Sequence, residues 1–293
     1  SIGSQSGIVD FLNADNAVNV AVLADGLSGN IKTEGRRACF GVKVEDSVIG
    51  MHMQLIAPDG EITRFASDYK EIDTDFLNYV PGSYIAAAAF GFTSDFDWSS
   101  LATAAALLGS RDVASAVQMA IPFLSRIDGT VAVAAGPAGG APAIADINLK
   151  TWNFTVMAHM AQSDVDATLA QLGALAPHIG ASPVKMESDD SGMDAWMLPD
   201  GTVIYAGNVY GCLAVSNLGF KPVGDNSMTD IFLSQRAAMA VNIPAGSEVV
   251  KAFGMPWGFN CSMQVGESDL NVRFSLNGSS QSVLQALLAQ MMK

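Results

Sequence analysis

Hydrophobic and polar residues alternate along two stretches of the chain, residues 39–55 and 261–276. Each stretch begins with a cysteine, turns at acidic residues next to a serine, and resumes with apolar residues at every second position. Period-two alternation on both sides of a polar turn is typical of a β-hairpin. The recurrence predicts an internal duplication, with a first half at residues 1–150 and a second half at 151–293. One set of alternating residues is predicted to be buried: Met51, Met53, Leu55, Val272, Phe274 and Leu276.

The remainder of the chain predicts short strands grouped between a few helices. Asp97 or Ser99 can cap a helix, as can Asp112. Apolar residues recur at helical spacing between residues 163 and 175. A closing helix is predicted over residues 279–292. Strand meanders that alternate with helices indicate an α+β fold, with duplicated antiparallel sheet meanders and helices packed on one face. The two halves either form separate domains or share a continuous sheet.

Charge and hydropathy exclude two classes of function. The chain carries 29 acidic and 15 basic residues, for a formal net charge of -14. Such a field repels nucleic acid, whose binding needs clustered Lys and Arg, so nucleic-acid binding is not expected. No transmembrane span is predicted either, because Arg111 and Asp112 interrupt the most apolar stretch, residues 101–124. The first seven residues lack the basic and apolar regions of a signal peptide.

Three segments carry a resemblance to a known family. Residues 154–172 combine a strand, a polar break and a helix, and residues 200–217 form a run of short strands. Residues 76–89 resemble the entry into a repeat. Together they resemble a family of Bacteroidetes envelope lipoproteins of unknown function, built from two similar α+β halves. The resemblance implies a cell-envelope or secreted protein, periplasmic or anchored to the outer membrane, and it supplies no catalytic residues. The lipidation signal of such proteins is absent from this sequence.

The histidines and cysteines do not form a familiar catalytic or metal-binding motif. His52, His159 and His178 show no paired spacing, so each is interpreted as a structural or surface residue. Cys39, Cys212 and Cys261 are far apart in sequence. Cys39 and Cys261 are interpreted as small buried strand residues rather than as a disulfide. Ser67 and Lys70 match the S-x-x-K motif, but the partner motifs of that enzyme class are missing, so the match is attributed to chance.

Clusters of acidic residues are the remaining chemical candidates. They are interpreted as solvated loops, because none shows the ligand spacing of a calcium site and none is accompanied by the histidine or cysteine of a catalytic metal centre. The three clusters are Asp68, Glu71, Asp73 and Asp75; Asp95 and Asp97; and Glu187, Asp189, Asp190 and Asp194.

The sequence therefore predicts a non-catalytic cell-envelope protein that acts as an interaction or ligand-binding module, with an unknown protein or glycan as its partner. No catalytic residue, no metal ligand and no cofactor is predicted, and the ligand-binding residues stay unknown. The alternative is a hydrolase with an unrecognised acidic site, for which the acidic clusters are the sole support.

Overall fold

The computed structural model describes residues 18–23, 37–45, 48–56, 69–75, 85–107, 111–138, 149–184, 193–218, 232–252, 257–266, 269–278 and 285. Thirteen strands in these residues form one sheet. The strands are β1 Val18–Leu23, β2 Arg37–Glu45, β3 Val48–Ile56, β4 Ala86–Phe92, β5 Ile127–Pro137, β6 Trp152–Met160, β7 Ser182–Pro183, β8 Met193–Met197, β9 Val203–Val209, β10 Cys212–Ser216, β11 Ala237–Ile243, β12 Trp257–Val265 and β13 Asp269–Gly278. The helices are α1 Trp98–Leu107, α2 Arg111–Leu124, α3 Gln162–Leu175 and α4 Glu248–Ala252, with a 3₁₀ turn at Ala176–Ile179.

The strands pair antiparallel throughout, in the order β1-β2-β3-β13-β12-β11-β4-β5-β6-β10-β9-β8-β7. Apart from the two-residue β7, they group into four three-stranded meanders, namely β1–β3, β4–β6, β8–β10 and β11–β13. Helices separate the first two strands in two of these meanders: α1 and α2 lie between β4 and β5, and α4 lies between β11 and β12. The internal duplication predicted from the sequence stays a prediction.

The predicted α+β class was wrong, because the described residues form a β-rich fold dominated by a single sheet. Both predicted hairpins exist, as β2–β3 and β12–β13, and they are joined directly through the β3–β13 pair. Strands from the two predicted halves also pair at β4–β11 and β5–β6. The sheet therefore runs continuously through both halves, whose boundary stays a prediction.

Cross-strand register assigns each residue to one face of the sheet, because directly paired residues project to the same side. We call the side of Phe40, Met53 and Val133 the front face, and the side of Cys39, Ala89 and Thr155 the back face. Cys39 and Cys261 lie on opposite faces and are not joined by a disulfide. The two cysteines are therefore not equivalent positions of two superposable hairpins.

Among the described residues, short helices cover the front face towards the ends of the strands. Asp97 accepts the N–H of Ser99 at 3.0 Å, which confirms its predicted role as the cap of α1. Trp98 of α1 and the buried Val165 of α3 pack with Phe92 over one end of the central strands. At the other end, Val250 of α4 packs on Ile243 of β11.

The back face is lined at its centre by small residues, which let other parts of the chain approach closely. Phe232 and Ile72 pack on this layer and are almost fully buried. The alanines of the layer are Ala89, Ala132, Ala134, Ala214, Ala238 and Ala240.

Residues 69–75, here called the strap, cross the back face at one end of the strands. The N–H of Lys70 donates to the carbonyl of Gly91 at 2.9 Å, and the N–H of Ile72 donates to the carbonyl of Gln235 at 2.7 Å. The N–H of Asp73 donates to the Thr130 hydroxyl at 2.8 Å. The strap thereby ties β4, β5 and the start of β11 together.

The burial prediction for the hairpins was wrong for Met51 and Met53, which are 44% and 38% exposed. The other four residues, Leu55, Val272, Phe274 and Leu276, are half-buried. Alternation correctly placed all six on one face, but it does not show what covers that face.

We expect Gly91→Ala to destabilise the protein, because a Cβ at this position would lie 2.0 Å from the carbonyl oxygen of Lys70. The strap backbone would have to shift, at a cost of about 1–3 kcal/mol in the free energy of unfolding. Gly173→Ala is the matched control, since its Cβ would meet only Trp196 at 3.9 Å. This change within α3 should be neutral or stabilising by about 0.5–1 kcal/mol. Urea denaturation measures both, and equal effects would contradict the close approach of the strap.

Candidate functional site

At the far end of the strap, five side chains of types that can act in catalysis or ligand binding come together on the back face. We call this group the strap cluster: Asp73, Asp75, His159, Tyr210 and Cys212. Asp73 Oδ2 lies 3.7 Å from His159 Nε2. The Tyr210 hydroxyl donates to Asp75 Oδ2 at 3.2 Å. Four separate parts of the chain are required, because β6, β10, the β9–β10 turn and the strap each supply a residue.

An irregularity in β5 makes room for His159. The β5–β6 register shifts between Ile127 and Val131, and Gly129 lies within this shift with a φ of 139°. A Cβ at position 129 would be 2.8 Å from the Cβ of His159. Glycine is therefore needed both for the backbone conformation and for the space that the imidazole occupies.

Tyr210 occupies a backbone conformation that favours glycine or asparagine. Its φ is 54°, and Gly211 follows with a φ of 74°, so the two residues form the tight turn between β9 and β10. A type I′ hairpin turn needs positive φ at both central positions. The turn is secured by Asn208, whose side-chain oxygen accepts the N–H of Gly211 at 3.0 Å. Tyr210 is 52% exposed at the edge of the strap cluster.

Asp73, His159 and Cys212 are the residue types of a cysteine-dependent catalytic site. In such a site the cysteine is the nucleophile, the histidine is the base and the carboxylate orients the histidine. Cys212 is the cross-strand partner of His159. However, burial and, to a smaller extent, the negative charge of Asp73 together raise the pKa of the Cys212 thiol to about 12. Reactive cysteines instead have a lowered pKa and are partly exposed. Cys212 is completely buried, so this arrangement does not support nucleophilic catalysis.

The other predicted candidates lie apart from the strap cluster. His52 on β3 contacts the Asn271 side-chain oxygen at 3.2 Å, and His178 is exposed in the 3₁₀ turn. Lys70 pairs with Asp128 at 2.7 Å, whereas Ser67 of the S-x-x-K match lies outside the described residues. The structure thus uses Lys70 in an exposed ion pair.

The members of the acidic clusters that the structure describes do not come together at one site. Asp95 and Asp97 lie next to α1, where hydrogen bonds from Ser99 lower the pKa of Asp97. Asp194 is exposed on β8, while Asp68, Glu187, Asp189 and Asp190 fall outside the described residues. Glu71 is exposed on the strap. Within the described ranges, no group of three or more His, Cys, Asp or Glu side chains is arranged to hold a metal ion.

A second candidate is a row of apolar residues that crosses the front face. Each residue of this row is the direct cross-strand partner of the next, and we call the row the apolar stripe: Phe40, Met53, Val272, Met263, Met239, Ala88 and Val133. Four of its members, Phe40, Met53, Met239 and Val133, are 38–42% exposed. A second apolar row runs beside it on the same face and includes Met51, which is 44% exposed. We call it the adjacent row: Val42, Met51, Phe274, Cys261, Val241, Ala86 and Ala135.

Sequence reasoning found neither candidate as a site. The strap cluster depends on pairings among distant segments, although Gly211 directly before Cys212 is typical of a turn. The alternation in β3 and β13 did identify the apolar side of the stripe. It predicted burial, because alternation reports a shared face and not its exposure.

A scan of protein-family models, a search of curated proteins and a search of solved structures each returned no match for this chain. In the part of the chain that the structure describes, no helix is long and apolar enough to cross a membrane.

We expect the thiol of Cys212 to be unreactive in the native protein. A pKa of about 12 in place of the ordinary 9.0 lowers the thiolate fraction at neutral pH by about a thousandfold. A Cys39→Ala, Cys261→Ala variant isolates this thiol, and its alkylation by iodoacetamide should be slow until denaturant is added. Native alkylation as fast as that of free cysteine would contradict the structural role and restore the nucleophile.

We expect His52 to make stability depend on pH. Burial lowers the pKa of His52 below its ordinary 6.5, and the charge of Arg273 acts in the same direction against the opposing hydrogen bond with Asn271. The unfolded state then binds the proton more readily, so stability is lost as the pH falls below 6.5. Urea denaturation on both sides of this pH should show a smaller difference for His52→Gln than for the wild type. An unchanged difference would mean that other groups cause it.

Proposed function

We propose that this protein is a non-catalytic interaction module of the cell envelope, which binds a protein partner through the apolar stripe. The observation that carries the proposal is the exposure of Phe40, Met53, Met239 and Val133 along one continuous row. Contiguous exposed apolar surface on a soluble domain is typical of interaction sites. The cell-envelope location rests on the resemblance to the Bacteroidetes lipoproteins.

The chemistry of the stripe favours a protein partner over a glycan. Its residues are aliphatic or sulfur-containing, apart from Phe40, and none offers a side-chain oxygen or nitrogen. Sugars need hydrogen-bonding groups as well as aromatic surfaces, whereas protein interfaces are rich in aromatic residues and methionine. The adjacent row has the same composition: Met51 is the cross-strand partner of Phe274, and Phe274 is the cross-strand partner of Cys261.

The strap cluster supports a second candidate, a hydrolase with an acidic site. The approach of Asp73 to His159 is the observation in its favour, because a carboxylate can orient an imidazole that acts as a general base. The two side chains are 41% and 26% exposed, so water can reach them. The buried thiol of Cys212 supplies no nucleophile, and hydrolysis would therefore depend on direct attack by water.

An assay with chromogenic ester, glycoside, phosphate and peptide substrates compares the two candidates. The interaction module predicts the same background rate for the wild type and for an Asp73→Asn, His159→Gln variant. Turnover by the wild type that this variant loses would contradict the non-catalytic proposal and favour the hydrolase.

The stripe should bind the hydrophobic dye ANS. We expect Met53→Asp to reduce the dye fluorescence clearly, because the charge interrupts the exposed row. Met197→Asp is the matched control: Met197 is 45% exposed but lies on the back face of β8. Thermal melting checks that both variants fold. Equal dye binding by the two variants would show that the stripe is not an accessible apolar surface.

A further inference from the structure

We infer that the partner of the apolar stripe is an amphipathic protein helix whose opposite side carries Lys and Arg. This inference rests on the proposed interaction function and names the chemistry of its partner. It follows from the dimensions of the stripe, the methionines within it and the charge of the chain.

The length of the stripe matches a helix of ordinary size. The row passes through seven adjacent strands, from β2 to β5. At about 4.8 Å between neighbouring strands, its six intervals cover roughly 29 Å. A helix rises 1.5 Å per residue, so about 19 residues would span the row. Such a helix would cross the strands and present one apolar side to the part of the row that the twist of the sheet keeps on the same side.

The covered parts of the front face leave the row accessible at β11 and β5. One neighbouring row, which contains Phe90 and Val131, packs with residues of α2 and α3. On the other side of the row, Val241 and Ile243 pack with Val250 of α4. Met239 and Val133, between these covered regions, are both 42% exposed. An incoming helix would therefore lie between two existing helical layers.

Methionine makes the surface adaptable to the side chains of a helix. Met53, Met263 and Met239 belong to the stripe, and Met51 occupies the adjacent row. Their side chains are unbranched and polarisable, and such surfaces bind the apolar sides of varied helices. A flat layer of β-branched residues alone would offer one fixed shape.

The charge of the chain selects a basic partner. The stripe and the adjacent row contain no ionisable side chain except the thiol of Cys261, while the whole chain has a net charge of -14. A basic helix would gain long-range attraction on approach. A second copy of this chain would instead add its own negative charge, which disfavours self-association through the same surface.

Titration with a synthetic helical peptide of leucine and lysine, about 19 residues long, tests the inference. We expect binding by fluorescence anisotropy that weakens as salt is added, because salt screens the attraction. Met53→Asp and the milder Met53→Gln should weaken binding, the former by about tenfold or more. Met197→Asp adds the same charge on the back face and should leave the affinity within about twofold, as expected for a residue outside the interface.

Two control peptides and one measurement of mass determine which partner chemistry applies. A leucine–glutamate peptide of the same pattern should bind much more weakly, and a scrambled leucine–lysine peptide should lose the sensitivity to Met53→Asp. Equal affinity for the acidic and basic peptides would overturn the inference. The inference would also be overturned if light scattering showed a dimer that Met53→Asp dissociates and that added salt stabilises. Either result leaves the stripe as a binding surface. The proposed function would be overturned as well if the Met53→Asp and Met197→Asp variants bound the peptide equally and bound the dye equally.

Discussion

The close passage of the strap over the small residues of the back face is the contact on which the rest of the arrangement depends. The carbonyl of Lys70 approaches Gly91 more closely than any side chain at that position would allow. Ile72 then reaches the alanine layer and is 4% exposed. Because the same short segment bonds to β4, β5 and the start of β11, it joins meanders that are far apart along the chain.

The strap also explains why the thiol in the strap cluster is not reactive. It carries Asp73 to His159 and, in the same step, places a negative charge near the buried Cys212. Burial and that charge both disfavour a thiolate, so the packing that assembles the cluster also raises the pKa of its only sulfur nucleophile. The contact of Asp73 with His159 is the part of the cluster that could still act in general-base chemistry.

The two faces of the sheet are covered differently, and the proposed binding role rests on this difference. On the back face, alanines admit the strap and Phe232, which form a close-packed layer. On the front face, helices pack near the strand ends, where Val165 and Val250 are buried, while Met239 and Val133 between them stay exposed. The apolar stripe is thus a consequence of incomplete helical cover on one side of a long sheet.

The sequence by itself determined the local elements and the side of each strand that is apolar. Alternation identified β2, β3, β12 and β13, and Asp97 marked the start of α1, because strand periodicity and helix capping depend on residues close together in the chain. Only the tertiary structure decided that β3 pairs with β13, that Met51 and Met53 stay exposed, and that Cys212 lies beside His159 and near Asp73. These outcomes depend on which distant segments meet and on what covers each face. Period-two alternation carries neither kind of information, since any partner strand with the same period satisfies it.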